Sequence, residues 1–292
     1  MSVVSFEHEN RMGRGKTPTR MRTVMILAAV LAPFVLAACS QQIEGTAAAY
    51  EDDQPAGVLY NRGLGYLNAG KFGDAIESFD EVDRQHPYSE EARKALVMSA
   101  FASYRRGDYT TAITTSNRYL TLYPGSDDAA YAQYIMGQSY YAQVKDVTRD
   151  QESTVKAMRA MEEIVARYPE SEYAADAQKK VIATRDQLAG KEMQVGRYYL
   201  ERREYVAAIN RFDVVVREFP DTRHVEEALE RLVEATLAIG LVREAQTAAA
   251  VLGHNFPNSQ WYQDAYRLLE KKGLKPEDYG GEISEAVANR TS

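Results

Sequence analysis

Side chains that could catalyse a reaction or bind a metal are few and far apart in this sequence. The four histidines, His8, His86, His224 and His254, stand singly, without the H-x-x-x-H spacing of a helical metal site. The single cysteine, Cys39, excludes an internal disulfide and a cysteine-based zinc cluster. The sequence also has no glycine-rich phosphate loop and no nucleophile elbow. It therefore predicts no catalytic site, no metal and no cofactor in the body of the chain, which disfavours an enzyme.

Cys39 has one clear chemical use, because of the segment that precedes it. Residues Met25–Ala38 (MILAAVLAPFVLAA) are apolar but fewer than the ~20 residues of a membrane-spanning helix, and Arg20 and Arg22 precede them. A basic start, a short apolar run and small residues at its end are typical of a secretory signal. The final Leu-Ala-Ala-Cys resembles the bacterial lipobox, whose cysteine receives a diacylglycerol and, after cleavage, an N-acyl chain. The alternative is a lone buried cysteine in a signal-anchor helix.

The lipobox resemblance divides the N-terminal region. Residues 1–20 fit no signal peptide and suggest an upstream mis-start, residues 21–38 form the signal peptide, and residues 39–54 carry the lipidated cysteine and a flexible tether. The residue after the cysteine is Ser40 and not aspartate. By resemblance to Gram-negative sorting signals, this implies a lipid anchor in the outer membrane, with the chain on the periplasmic face.

Charge and composition bound the remainder of the chain. A net charge of −7 lacks the basic excess of a nucleic-acid-binding protein, so no nucleic-acid partner is predicted. Hydrophobic residues make up 45% of the 292, which is enough for a sizeable core. Only nine residues are proline. Few prolines among many Ala, Glu, Arg and Leu residues favour helices.

An aromatic residue or histidine followed by proline recurs along the body of the chain. The prolines concerned are Pro87, Pro124, Pro169, Pro220 and Pro257. Proline ends a helix, and its near-regular return is typical of stacked helical hairpins. Counting back from these prolines places small residues where the two helices of a tetratricopeptide (TPR) hairpin cross. It also places glycine at the turn between the helices in three repeats, at Gly70, Gly107 and Gly240.

The predicted fold is all-α: five TPR-like hairpins stacked as a solenoid over residues 55–274, with an irregular helical bundle as the alternative. The repeats are predicted at about 56–89, 93–126, 130–171, 189–222 and 226–259. Repeat three is expected to contain an insertion at about Lys145–Glu152, and one extended helix over Tyr173–Leu200 to join repeats three and four. Ser259–Lys272 is predicted to form a capping helix, and the polar tail 275–292 to be disordered.

The segment Tyr168–Phe212 (YPESEYAADAQKKVIATRDQLAGKEMQVGRYYLERREYVAAINRF) gives the most specific resemblance. Its Tyr-Pro-x-Ser, Asp-Ala, Arg-Asp-x-Leu-Ala and Asn-Arg elements, with the lipobox and the hairpins, resemble the BamD family. These are lipoprotein subunits of the outer-membrane β-barrel assembly (BAM) machine. The resemblance covers Pro55 to about Leu269. It implies that the C-terminal repeats bind the POTRA domain of BamA, alongside other BAM lipoproteins. It also implies that the N-terminal repeats bind the C-terminal signals of unfolded outer-membrane β-barrel proteins.

The concave face of a TPR array is lined by the first helices of its hairpins, and in the N-terminal repeats that face is rich in aromatic residues. The predicted groove for client peptides comprises Tyr60, Asn61, Phe101, Tyr104, Arg105, Tyr131, Tyr134 and Tyr141. Aromatic rings offer large contact areas, and a cationic side chain can pair with a terminal carboxylate. The alternative is that these tyrosines pack between neighbouring helices as core.

Arg211 matches the Asn-Arg position that the BamD family uses against BamA. Because it directly precedes the predicted core residue Phe212, its side chain should point away from the core. Arg202 and Arg203 form a charged turn nearby and complete the predicted BamA-binding residues; the alternative is that Arg211 is an ordinary solvated arginine.

The competing function is that of another periplasmic TPR lipoprotein, one that coordinates other cell-envelope complexes.

Overall fold

The computed structural model describes residues 54–288, and every regular element in that range is an α-helix. The predictions for residues 1–53, including those for Cys39, lie outside the described residues. The helices are α1 (Ala56–Asn68), α2 (Phe72–Gln85), α3 (Glu90–Arg106), α4 (Tyr109–Leu122), α5 (Ala129–Tyr141), α6 (Glu152–Arg167), α7 (Ala174–Glu201), α8 (Tyr205–Glu218), α9 (Val225–Ala238), α10 (Val242–Asn255), α11 (Gln260–Glu270) and α12 (Glu282–Ala288). Helices α1 to α10 each pack chiefly against their neighbours in sequence. The predicted all-α, TPR-like solenoid is therefore confirmed.

The turns inside repeats one, two and five each contain a left-handed glycine, as the sequence predicted. Gly70, Gly107 and Gly240 have φ values of 72°, 82° and 83°. Glycine adopts this conformation without the steric penalty that a Cβ atom brings. Each of these glycines follows the first helix of its repeat, so the chain reverses and the second helix packs back along the first.

The two helices of a hairpin cross where a small residue faces a large one. A Cβ atom built on Gly63 would lie 2.5 Å from a ring carbon of Phe79, and one on Gly196 would lie 2.4 Å from a ring carbon of Phe212. Gly137 meets Met161 in the same way, at 2.9 Å. Phe79, Phe212 and Met161 are all fully buried. Glycine at each crossing therefore lets the large side chain fill the space between the helices.

Helix α7 serves two repeats. It runs for 28 residues without a break, which corresponds to about 42 Å at 1.5 Å per residue, and the predicted extended helix is confirmed. In its first half, Ala177 and Val181 pack against α6. In its second half, Ala189 and Met193 pack against α8. The chain between α5 and α6, residues 142–151, forms an insertion loop beside the middle of α7.

The turn between α7 and α8 breaks the glycine pattern. Arg203 occupies the left-handed position there, with φ of 61°, and it is the one residue other than glycine with positive φ among residues 54–288. Outside glycine this conformation costs about 1–2 kcal/mol. Replacing Arg203 by glycine should therefore raise the free energy of unfolding by about 1 kcal/mol, and the melting temperature by about 2–4 °C. Arg202, with φ of −86°, is the matched control. Arg202→Gly should lower both the free energy of unfolding and the melting temperature. A destabilised Arg203→Gly variant would contradict this account of the turn.

The prediction that residues 275–292 are disordered is wrong for residues 275–288. After α11 the chain runs along α10, and α12 then packs against α8 and α10. Val287 is fully buried, and Ile283 packs against the same core. The prediction rested on the polar composition of this segment. It did not take into account the apolar pair Ile283 and Val287, four positions apart, or the hydrogen bonds between the backbone of the segment and side chains of α10. Residues 289–292 lie outside the described residues.

Candidate partner-binding surfaces

Four rings from repeats two and three and from the start of α7 lie in a continuous row, which we call the aromatic row: Phe101, Tyr131, Tyr173 and Tyr134. The ring centroids of Phe101 and Tyr131 are 6.0 Å apart, those of Tyr131 and Tyr173 are 5.4 Å apart, and those of Tyr173 and Tyr134 are 4.8 Å apart. All four side chains are half-buried. The row therefore contributes both to packing between helices and to the accessible surface, and the binding of a client peptide there stays a prediction.

Each end of the aromatic row carries a cation. The guanidinium of Arg105 lies 5.6 Å from the ring centroid of Phe101 and 5.3 Å from that of Phe72. At the other end, the ammonium of Lys180 lies 6.0 Å from the ring centroid of Tyr134 and 5.5 Å from that of Tyr141. Such positions over an aromatic face are favourable. The row is therefore an aromatic surface with a cationic side chain at either end.

Asp176 and Lys180 fix the geometry at the Tyr134 end. The carboxylate of Asp176 pairs with Lys180 and accepts a hydrogen bond of 2.6 Å from the Tyr134 hydroxyl. The Lys180 and Tyr134 hydrogen bonds lower the pKa of Asp176, so it remains a carboxylate at neutral pH. Burial, with the bond to Asp176, raises the pKa of Tyr134 to about 12. The tyrosine therefore keeps its proton, and the positive charge of Lys180 is already paired with a carboxylate of the same chain.

Three other predicted groove residues make no ring contact with the aromatic row. Tyr60 packs on Phe79 at a centroid distance of 5.8 Å, in the crossing of repeat one, and the neighbouring Asn61 is exposed. Tyr104 contacts Tyr109 of its own repeat at 5.9 Å. The structure therefore groups Arg105, Phe101, Tyr131, Tyr134 and Tyr141. Tyr104 packs against the same core as Phe101 and Tyr131 without joining the ring contacts of the row, and Tyr60 and Asn61 belong to repeat one.

Sequence reasoning missed four residues of this surface: Phe72, Tyr173, Asp176 and Lys180. Tyr173, Asp176 and Lys180 come from the start of α7, which the sequence indicated only as a connecting helix. The spacing of Asp176 and Lys180, four residues apart on a helix, is a local sign of an ion pair. Nothing in the linear sequence indicates that this pair faces Tyr134.

The predicted arginines of the C-terminal repeats lie in two different places. Arg211 points from α8 towards α7, where its guanidinium donates a 3.0 Å hydrogen bond to Glu192, and its side chain is 45% exposed. The guanidinium of Arg202 stacks over the ring of Tyr198 at 4.3 Å. Arg203 lines a shallow cleft in the turn with Val206 and Ile239. Arg211 is thus an exposed arginine that pairs with a carboxylate of the neighbouring helix, and its role in binding BamA stays a prediction.

The middle of α7 connects repeats three and four, as predicted, through side-chain contacts that the sequence did not indicate. Arg185 binds both carboxylate oxygens of Asp221 and donates a 2.8 Å hydrogen bond to the carbonyl oxygen of Glu218 at the end of α8. The side-chain amide of Gln187 donates to the carbonyl oxygen of Lys145 in the insertion loop, at 2.6 Å. Arg185 and Gln187 belong to the Arg-Asp-x-Leu-Ala element, so this motif holds the two repeats and the loop together.

A cleft of about 630 Å³ lies beside these contacts, between the insertion loop, α6, α7 and α8. The apolar side chains in its lining are Val155, Met158, Leu188 and Val214, and Glu192, the partner of Arg211, lies in its wall.

Within residues 54–288 no cluster of His, Cys, Asp or Glu side chains could hold a metal ion. In the same range no helix is both long and apolar enough to cross a membrane.

Comparison with known proteins gives one consistent result. A family model described as "YfiO: Outer membrane lipoprotein" matches residues 52–252. The outer membrane protein assembly factor BamD of Caulobacter vibrioides is 45% identical over 87% of this chain and 83% of its own length. BamD of Rickettsia prowazekii is 39% identical over 74% of this chain and 86% of its own length. BamD of Neisseria meningitidis is 31% identical, over 83% and 95% respectively. The chain therefore belongs to the BamD family of outer-membrane protein assembly factors.

Proposed function

We propose that this assembly factor is the lipid-anchored scaffold of a BAM complex. In this proposal its C-terminal repeats bind the POTRA domain of BamA, its N-terminal repeats bind unfolded β-barrel proteins, and other BAM lipoproteins attach to the same chain. The main support is the 45% identity to an assembly factor over 87% of the chain, which spans both candidate surfaces. The chain acts in this proposal by binding alone, without catalysis or cofactor chemistry.

The aromatic row is the surface we propose for the client protein. Its half-buried rings offer contact area at little cost in side-chain entropy, because aromatic side chains have few rotatable bonds. Lys180 is neutralised by Asp176, whereas Arg105 is exposed at the other end. We infer that an aromatic side chain near the end of the client lies along the row while its terminal carboxylate pairs with Arg105.

The surface around Arg211 is the one we propose for BamA. An arginine held by an internal carboxylate is preoriented, so little side-chain entropy is lost when a partner binds it. The apolar cleft beside Glu192 can receive a side chain from the same partner. Together they provide a buried anchor and a charged rim, the usual arrangement of a protein interface.

Partner identification tests the function directly. The chain, tagged at its C-terminus, is purified from gently solubilised outer membranes, and the co-purifying proteins are identified by mass spectrometry. We expect BamA in stoichiometric amount, and barrel proteins at lower occupancy. Recovery of cell-wall synthases without BamA would instead identify a TPR lipoprotein that coordinates another envelope complex.

Membrane attachment is predicted to depend on Cys39. Replacing Cys39 by alanine removes the thiol that would receive the diacylglycerol, so acylation should be lost and an unprocessed or soluble form should accumulate. Metabolic labelling with a fatty acid, followed by fractionation, measures both effects. Cys39→Ser is a matched control for side-chain size and should behave like Cys39→Ala. Continued labelling of either variant would place the anchor at another residue.

A further inference from the structure

Residues 275–288, which we call the C-terminal strap, cover one face of repeats four and five. The first part runs along α10. There the side-chain amide of Gln246 donates to the carbonyl oxygen of Lys275 at 2.7 Å, and the Tyr279 amide donates to the hydroxyl of Thr247 at 3.2 Å. The guanidinium of Arg243 lies 4.6 Å from the ring centroid of Tyr279. Gln246 and Thr247 are 8% and 5% exposed, so the strap provides partners for two buried polar side chains.

The second part of the strap is α12, which lies in the groove between α8 and α10. Two apolar side chains hold it there: Val287 is fully buried, and Ile283, four positions earlier, packs against the same core. Glu282 in its first turn lies 3.2 Å from one guanidinium nitrogen of Arg217 on α8, and the other terminal nitrogen of Arg217 pairs with Asp213 of the same helix at 2.5 Å. The groove therefore accepts a short helix that has apolar residues four positions apart and an acidic first turn.

Few interactions keep α12 in the groove. Seven residues are too few for a helix to be stable alone in water, so α12 depends on the groove. Glu282 is 80% exposed in its ion pair, and exposed pairs contribute little. Two consecutive glycines with positive φ, Gly280 and Gly281, join α12 to the rest of the strap. The entropy lost by ordering the strap offsets much of what its few contacts gain, so local opening is accessible without unfolding the array.

We propose that the groove between α8 and α10 is a docking site for a short amphipathic helix of a partner protein, and that α12 covers this site in cis until such a helix displaces it. The partner helix has the chemistry that α12 displays: two apolar residues four positions apart and a carboxylate in the first turn, facing Arg217. Docking an amphipathic helix into an apolar groove is a common mode of recognition. Because α12 is tethered, its high effective concentration keeps the site closed to weak or mismatched helices.

Hydrogen exchange on the full chain tests whether the strap opens separately. We expect amides of residues 277–288 to exchange at least tenfold faster than those of α10. The double variant Ile283→Ser with Val287→Ser should speed exchange in the strap by a further tenfold and leave α9 unchanged. Glu285→Ser introduces the same residue at an exposed position of α12 and should have little effect. Exchange of the strap only together with α10 would show that it is an integral part of the fold, and would overturn the proposal.

Binding in trans tests the groove itself. The probe is a fluorescent peptide of residues 275–288, and the receptors are the unmodified chain, the full-length double variant and a chain ending at Leu274. Thermal unfolding checks each fold; the double variant keeps the test valid if the shortened chain does not fold. We expect the peptide to bind the open receptors at least tenfold more tightly than the unmodified chain, and Arg217→Glu in those receptors to weaken binding severalfold. Equal binding to all receptors, or none, would overturn the proposal. So would a dimer of the unmodified chain that is lost in the double variant, since that result would indicate exchange of α12 between copies.

Discussion

Gly63→Ala should destabilise the first repeat, whereas the same change two residues along α1, at Gly65, should stabilise it. A Cβ atom at position 63 would lie 2.5 Å from the ring of Phe79, whose side chain is 1% exposed and closely surrounded. Overpacking of this kind typically lowers the free energy of unfolding by about 1–3 kcal/mol. Around Gly65 nothing lies within 4 Å of the new atom. There alanine should gain up to about 1 kcal/mol from its higher helix propensity.

Thermal unfolding of the purified chain measures both effects, with about 2–4 °C expected per kcal/mol for a domain of this size. The two variants should shift the melting temperature in opposite directions. Gly196→Ala extends the test to repeat four, where the new atom would lie 2.4 Å from Phe212. Shifts of the same sign at positions 63 and 65 would show that the helices do not approach closely at Gly63.

Arg211→Glu should weaken binding to the purified periplasmic domains of BamA and leave client binding nearly intact. Reversing a charge at a desolvated interface pair costs about 2–5 kcal/mol, and much less at an exposed rim. The change also places a second carboxylate beside Glu192, so a control must separate that effect. The variant Glu192→Gln keeps the charge of Arg211 and weakens the pair that preorients it, so it should lower BamA affinity far less than Arg211→Glu. The charge swap Arg211→Glu with Glu192→Arg restores the internal pair, and we expect it to remain impaired.

The reciprocal variant acts on the aromatic row. Phe101→Ala with Tyr131→Ala removes two neighbouring rings, and we expect at least tenfold weaker binding of a peptide from a barrel protein's C-terminus, about 1.4 kcal/mol or more. BamA binding should be spared, because distant sites without shared partners act nearly independently. Tyr88→Ala is the matched control, since this tyrosine is fully exposed outside the row. If a folded variant binds BamA and the barrel peptide with equally reduced affinity, two separate surfaces are ruled out.

Features set by local backbone chemistry were predictable from the sequence. Gly70, Gly107 and Gly240 could be placed in turns because a left-handed residue is a requirement of the turn itself. The crossing at Gly63 could be located because the TPR spacing fixes which residues of a hairpin face each other. The long helix α7 followed from helical periodicity that persists across Gly190 and Gly196. Each of these inferences uses residues close together in the chain.

The aromatic row was only partly predictable, because it depends on how successive hairpins stack. Tyr173 links Tyr131 and Tyr134 but precedes α7, some 40 positions along the chain. The contact of Arg185 with Asp221 likewise joins distant segments. The strap was missed for a different reason. Adjacent polar residues at Gln246 and Thr247 in an alanine-rich helix indicate a buried polar contact, but the sequence does not show that residues 275–279 supply it.

The continuity of α7 has a consequence for how the array melts. In a solenoid each repeat contacts its neighbours alone, so repeats can open one at a time. Here repeats three and four share a single 28-residue helix: its first half completes the packing of α6, and its second half forms the hairpin with α8. Loss of α8 would leave the second half of α7 without its main packing partner, and fraying would be transmitted to the packing of α6. We therefore expect repeats three and four to unfold as one cooperative block, with partial opening confined to the outer repeats.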